Sequence, residues 1–307
     1  MRYFELGKTG ITVPAVALGC MRINRLDKKE AERLVKTALA QGINFFDHAD
    51  IYGGGVCESH FSESIGLTPS MREKMILQTK CGIRPDKGTF DFSKEHILDS
   101  VNNSLKRLNT DYIDILLLHR PDTLMEPEEV AEAFALLKAS GKVRHFGVSN
   151  QNPVQIALLK KYLHTDIAAN QLQLSITNCP MIDSGLNVNM NNEPSVMHEG
   201  GVLEYCRLHD ITIQAWSPFQ YGFFEGVFVD NEKYEELNEV MARIADENHV
   251  TKNAVAVAWI MRHPARIQTI VGTTNAQRLT EICQAADFTL TREEWYELYK
   301  ATGKKLP

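Results

Sequence analysis

Short runs of β-branched and apolar residues alternate along the chain with longer stretches whose apolar positions recur three and four apart. Read as strands, the short runs occupy residues 15–19, 44–47, 75–80, 113–118, 143–148, 167–171, 212–216 and 269–271. Several are apolar throughout, as strands covered on both faces are. Between them, residues 28–41, 94–108, 127–140 and 251–262 carry the periodicity of amphipathic helices. Asp27, Ser93 and Thr251 stand where N-caps belong, and Gly42 and Gly141 stand at the left-handed position that follows a helix. Strand and helix in strict alternation predict a parallel sheet wrapped by helices. The Gly-x-Gly-x-x-Gly fingerprint of an open dinucleotide-binding sheet is absent after the first strand, and eight strand–helix units fit a closed (β/α)8 TIM barrel better.

The chain has 307 residues, and a barrel of this kind takes about 250, so a single domain over residues 1–307 with some added helices is expected. No linker rich in Pro, Gly or Ser divides it. The longest stretch without periodicity is 177–201, on the C-terminal side of a strand, where such loops are functional or mobile. Residues 290–307 read mostly as a helix starting at a Thr291 cap, with Glu293 and Glu294 in its first turn.

Composition narrows the function classes. Charged residues at 23% and hydrophobic ones at 44% match an ordinary globular protein. Net charge is 33 − 39 = −6 with the signs interspersed, so no basic stripe invites nucleic acid. The N-terminus lacks a signal-like apolar stretch and no window resembles a membrane span, which makes a cytoplasmic location without a membrane partner the expectation. Six scattered cysteines without a Cys-x-x-Cys pair argue for reduced thiols, and the ten histidines form no metal-binding spacing, so no metal is expected. The oligomeric state is left open, because no seam or exposed apolar helix stands out.

Barrel enzymes carry their reactive groups where strands end, which singles out Asp47 at the end of NFFD, Lys80 at the end of MILQTK and His119 at the end of DILLLH. Tyr52 follows Asp47 in the adjoining loop. Asp47 and Lys80 on neighbouring strands would pair, since a lone buried charge costs several kcal/mol. An ammonium beside a phenol favours phenolate and is expected to lower the tyrosine pKa from about 10 toward neutrality. His119 would align a carbonyl oxygen with that phenol.

At these residues the chain resembles the aldo-keto reductase superfamily over nearly its whole length. LGKTGITVPAVALGCM resembles the family's N-terminal hairpin and first strand, FFDHADIYG its Asp-x-x-x-x-Tyr segment, LQTKC and DILLLHRPD its lysine and histidine strands, and GKVRHFGVSN its fifth strand and turn. The resemblance implies a catalytic tetrad of Asp47, Tyr52, Lys80 and His119 in an oxidoreductase that passes hydride from NADPH to a small-molecule carbonyl. It further implies a carboxamide site at Ser149, Asn150 and Gln171, a ring-stacking Trp216, and Ser217 as a pyrophosphate contact with Pro218 beside it. Gly19, Met21, Arg22 and Asp47 are implied as further cofactor contacts. VGTTNAQRL resembles the last phosphate-binding turn, which gives Gly272, Thr273, Thr274, Arg278 and Glu281, with Arg278 on the 2′-phosphate of NADPH/NADP+. Two positions depart from the pattern: Gly272 stands where some members carry a phosphate-binding Lys, and Ile282 where many carry an adenine-binding Asn.

The same resemblance implies an open substrate mouth, since no long C-terminal loop remains, lined near Arg22, Ile23, Arg84, Phe219 and Tyr221. Two other readings compete. One is a regulatory barrel that binds NADPH and senses redox state with little turnover. The other is a Schiff-base enzyme acting through Lys80, which leaves Tyr52 and Trp216 without roles.

Overall fold

In the computed structural model, which describes residues 1–307, the eight expected strands are the staves of one closed parallel barrel. An antiparallel hairpin of β1 (Tyr3–Glu5) and β2 (Thr12–Pro14) opens the chain. There follow β3 (Val16–Gly19), α1 (Lys28–Ala40), β4 (Phe45–Asp47), α2 (Val56–Ile65), α3 (Pro69–Arg72) and β5 (Ile76–Cys81). A second hairpin, β6 (Ile83–Arg84) with β7 (Thr89–Phe90), leads into α4 (Lys94–Leu108), β8 (Ile113–Leu118), α5 (Pro127–Ala139), β9 (Val143–Ser149), α6 (Pro153–Tyr162) and β10 (Ile167–Gln173). The remainder holds α7 (Pro180–Leu186), α8 (Val202–Leu208), β11 (Thr212–Trp216), α9 (Glu235–Asn248), α10 (Lys252–Met261), β12 (Gln268–Val271), α11 (Ala276–Cys283) and α12 (Arg292–Lys300). Staves β3, β4, β5, β8, β9, β10, β11 and β12 follow one another around the barrel, and β12 closes back onto β3. This is a (β/α)8 TIM barrel with an N-terminal hairpin.

The helix ends form where local chemistry favours them. Asp27 accepts from the Glu30 amide while Glu30 returns a bond to the Asp27 amide, and Thr291 and Glu294 make the same reciprocal cap on α12. Ser93 and Thr251 cap α4 and α10 through the amides of His96 and Ala254. Gly42 and Gly141 lie at φ 81° and 72°. The segment 177–201, expected to lack regular structure, contains α7 and a 3-10 turn at Glu193–Ser195. Seven residues span barely two turns, too few for a periodic pattern to be read in the sequence.

Side chains alternate along a strand, so one parity faces the helices and the other fills the barrel. Leu18, Phe46, Leu77, Leu116, Leu118 and Phe146 belong to the large apolar layer under the helices. Ala17, Phe45, Ile115, Leu117, Ala169 and Ile270 form a smaller cluster inside, with Leu6 and Val13 of the hairpin packed against them. Gly147 shares this inward parity because a Cβ there would meet Leu117 Cδ2 at 2.6 Å and the Ala169 carbonyl oxygen at 2.7 Å. Nearer the C-terminal rim the inward layer turns polar. Gly19 pairs with Asp47 and Asp47 with Gln78 on one side; Ser149 pairs with Gln171, Gln171 with Gln214 and Gln214 with Gln268 on the other. All six cysteines are free and buried.

Candidate active site

Asp47 and Lys80 meet inside the barrel, as a lone buried charge of either sign requires. The Lys80 Nζ donates to Asp47 Oδ2 at 2.8 Å, to the His48 carbonyl at 2.8 Å and to the Tyr52 hydroxyl oxygen at 3.0 Å. An ammonium has three protons, and all three are thereby committed. Asp47 Oδ1 accepts from Gln78 Nε2 at 2.6 Å and from Gln171 Nε2 at 3.0 Å, so the carboxylate on β4 is held by three donors from β5 and β10. Tyr52 reaches this point because the backbone keeps pairing beyond β4: the His48 and Asp50 amides donate to the carbonyls of Gln78 and Lys80. The chain then turns sharply through Gly53, Gly54 and Gly55, all at positive φ, into α2.

Burial pushes the Tyr52 phenol above its ordinary pKa, and the opposing pull of the Lys80 ammonium is blunted by Asp47. The expectation of a phenol acidified toward neutrality is therefore overturned; the ammonium's charge is already balanced by the carboxylate it binds. Burial would lower the Lys80 pKa, but Asp47 and Tyr52 outweigh it and hold Lys80 above the ordinary range. His119, whose ring stands edge-on to Tyr52 with centroids 5.9 Å apart, is kept well below the usual imidazole value by burial and by Lys80 and Arg120. It is a neutral imidazole, with Nδ1 buried and without a protein partner.

A cavity of about 710 Å³ opens at this rim. Of the residues singled out in the sequence, its wall holds Gly19, Met21, Arg22, Asp47, Tyr52, His119, Ser149, Asn150, Gln171, Trp216, Ser217, Pro218, Gly272, Thr273, Thr274 and Arg278. Lys80 is fully buried behind Tyr52 and Asp47. Glu281 lies outside the wall, where it accepts from Gln277 one turn earlier on α11. The expected mouth is partly corrected. Arg22 and Phe219 line it, but Ile23 is buried in the core, Arg84 turns to Asp86 and Asp91 on the β6–β7 hairpin, and the Tyr221 hydroxyl donates to the Glu225 carbonyl. Ile83, Phe223, Phe224 and Val227 take those places.

The wall suits an extended nucleotide with an amide at one end and phosphates along its length. The Ser149 hydroxyl donates to the Gln171 carbonyl at 2.9 Å and accepts from Asn150 Nδ2 at 2.8 Å. Asn150 Oδ1 accepts from the Trp216 indole at 3.1 Å, so Asn150 also fixes the plane of the aromatic wall. Gln171 has both amide protons engaged, by Asp47 and Gln214, while no protein donor reaches its Oε1. At the far end Thr273 and Thr274 precede α11, whose N-cap is Asn275, and the exposed Arg278 guanidinium has no carboxylate partner. A helix start beside a free guanidinium is chemistry suited to phosphate.

Sequence reasoning passed over Gln78, Gln214, Gln268 and Arg120. The glutamines form one buried network from Asp47 to the Pro14 carbonyl, with Gln214 donating to Gln78 and to Gln268. Alternation within a strand puts Gln78 on the same face as Lys80 and Gln214 on the same face as Trp216, a signal the sequence holds, but that these glutamines meet depends on the strand register. Arg120 stands directly after His119 and needed no more than a look one residue further.

A barrel with this constellation at its C-terminal rim defines an oxidoreductase of the aldo/keto type. The family described as the aldo/keto reductase family matches residues 15–302, and the chain belongs to it. The chain is 38% identical over 303 residues to the uncharacterized oxidoreductase YcsN of Bacillus subtilis, covering 94% of each. It is 35% identical over 282 residues to a 6-dehydroglucose reductase of Agrobacterium fabrum, covering 89% of this chain and 88% of that one. Among solved structures it resembles the thermostable aldo-keto reductase Tm1743 in complex with the inhibitor epalrestat, with a TM-score of 0.79, 26% identity, and coverage of 98% of this chain and 100% of that one. No helix is long and apolar enough to cross a membrane.

Proposed function

We propose that the protein is an NADPH-dependent reductase of aldehydes and ketones in which Tyr52 donates the proton. The observation that carries this reading is the saturated ammonium: Lys80 donates to Asp47, to the His48 carbonyl and to the Tyr52 oxygen. The phenol oxygen accepts from Lys80, so its own O–H remains to be donated into the cavity. Because burial raises the phenol pKa, that proton is present at neutral pH. The neutral imidazole of His119 carries one N–H with which to orient a carbonyl oxygen beside Tyr52. A bound nicotinamide nucleotide supplies the hydride.

Ser149, Asn150 and Gln171 would hold the carboxamide, Trp216 the ring face, and Ser217, Gly272, Thr273 and Thr274 the phosphates, with Gly19, Met21, Arg22 and Pro218 alongside. Arg278 would select the 2′-phosphate. Glu281, outside the cavity wall, would meet the adenosine end.

The test is consumption of NADPH against a panel of aldehydes, ketones and polyhydroxylated carbonyl compounds. Tyr52→Phe is expected to lower kcat by about 10²- to 10⁴-fold, the range of general-acid catalysis, with NADPH affinity nearly unchanged. Tight NADPH binding with no turnover of any carbonyl would sink the reductase reading in favour of a redox-sensing regulatory barrel.

A further inference from the structure

The cavity wall is unequal in charge. It holds the guanidinium groups of Arg22, Arg25, Arg120 and Arg278 and a single carboxylate, Asp47, which Lys80 already neutralises. Arg278 lies at the α11 end, and Arg22 donates through Nε and Nη2 to the Gly272 carbonyl at 3.2 and 2.8 Å. Arg120 is different. It follows His119 at the carbonyl end, it is half-buried, and neither a carboxylate nor a carbonyl of the protein accepts from it. Aromatic faces lie beside it: the guanidinium stands 5.7 Å from the Trp216 ring centroid and 5.6 Å from that of Phe223.

Burial lowers the Arg120 pKa, and no carboxylate opposes this. A guanidinium carries five N–H donors, and withdrawing them from water without acceptors is unfavourable. Aromatic faces compensate the charge in part but accept no in-plane N–H bond. The planar fork is matched by a carboxylate, which receives two parallel bonds. Trp216, Phe223 and Phe224 flank the approach with apolar surface, suited to a flat spacer between that acid group and the reacting carbonyl.

We propose that Arg120 is a specificity residue that receives a carboxylate borne by the substrate, so that the preferred substrates are oxo- and aldehydo-acids with a planar or apolar spacer. This rests on the reductase reading and names the substrate class of the same site. The acid group is bound by Arg120 while the carbonyl faces Tyr52 and His119.

The matched probes are 4-carboxybenzaldehyde and its methyl ester, which differ in charge and little in shape. Wild type is expected to favour the acid in kcat/KM, and Arg120→Met to lower the acid-to-ester ratio about ten- to hundred-fold, the scale of a hydrogen bond to a charged group. Arg120→Lys should keep an intermediate ratio, since a point charge replaces the fork. A variant that folds poorly would lose both substrates together and leave the ratio alone. An unchanged ratio in Arg120→Met, with turnover of the ester retained, overturns the proposal and leaves Arg120 a stacking partner of Trp216.

A second readout needs no turnover: calorimetric titration of wild type and Arg120→Met with 4-(hydroxymethyl)benzoate. A comparable loss of affinity in the variant supports the proposal, and equal affinity overturns it. If no carbonyl of the wider panel consumes NADPH, the reductase reading fails, and this titration alone decides whether Arg120 is a carboxylate site.

Discussion

At the scale of single residues the site is a lesson in where charge ends up. An ammonium beside a phenol is expected to acidify it, yet here Asp47 takes up that charge and burial leaves the Tyr52 proton more firmly held than in water. His119, deprived of solvent and facing two cations, stays neutral. The pH dependence follows in sign. In the reduction direction the phenol must be protonated, so the rate should stay flat through neutrality and fall only where pH passes the raised phenol value, above the ordinary tyrosine value of about 10. A pH profile of kcat/KM checks this. An alkaline limb near neutrality would mean that the phenol is acidified after all, and an imidazolium limb between pH 5 and 7 would contradict the neutral His119. Asp47 and Lys80 were legible as a pair from their strand ends, whereas the balance between burial and ammonium was not, because it depends on distances that no motif carries.

At the scale of elements, caps and apolar stripes make the helices, and packing decides how firmly each is held. α12 shows the difference. Its reciprocal Thr291–Glu294 cap is written in the sequence. Its attachment is not. Trp295 on α12 stacks on Trp259 of α10 with ring centroids 4.7 Å apart and planes 5° from parallel, and each indole N–H donates to the other residue's carbonyl, at 3.0 and 3.1 Å. Trp295→Ala removes the ring and leaves the Trp259 carbonyl without that donor, and should destabilise the protein by about 3–5 kcal/mol. Chemical denaturation measures the loss. A cost under about 1 kcal/mol would mean that α12 is an accessory to the barrel. The short helix α7 went unread for the opposite reason: it is held by its neighbours and has too few turns for a pattern of its own.

For the whole molecule, closure of the barrel is the decisive event, since it turns strands distant in sequence into the wall of one cavity. Asp47 and Gln171 are separated by 124 positions and share a 3.0 Å hydrogen bond. Gly147 marks how tightly the interior is filled. Gly147→Ala would drive a methyl against the Leu117 side chain, which can shift, and against the Ala169 carbonyl oxygen of the neighbouring stave, which cannot without moving the strand. The expected cost is about 1–3 kcal/mol of overpacking, read as a lower denaturation midpoint. A neutral substitution would show that the staves can spread. The inward parity shared by Asp47, Gln78, Gln171, Gln214 and Gln268 also belongs to this scale, because it exists only once the registers of five staves are fixed.

The order of strands and helices, the caps, and the residues closing each strand follow from local chemistry: side-chain periodicity, the need of free helix amides for an acceptor, and the intolerance of an unpaired buried charge. These made the barrel and the cluster of Asp47, Tyr52, Lys80 and His119 readable in advance, whereas the cofactor positions of the cavity wall were legible only through the resemblance to the family. The folded chain alone decided that Tyr52 keeps its proton, that Ile23, Arg84 and Tyr221 turn away from the mouth, that Glu281 lies off the wall, and that Arg120 is left without an acceptor. Each of these depends on how much water is excluded and which groups from remote strands come within about 3 Å, quantities that arise only when the barrel closes.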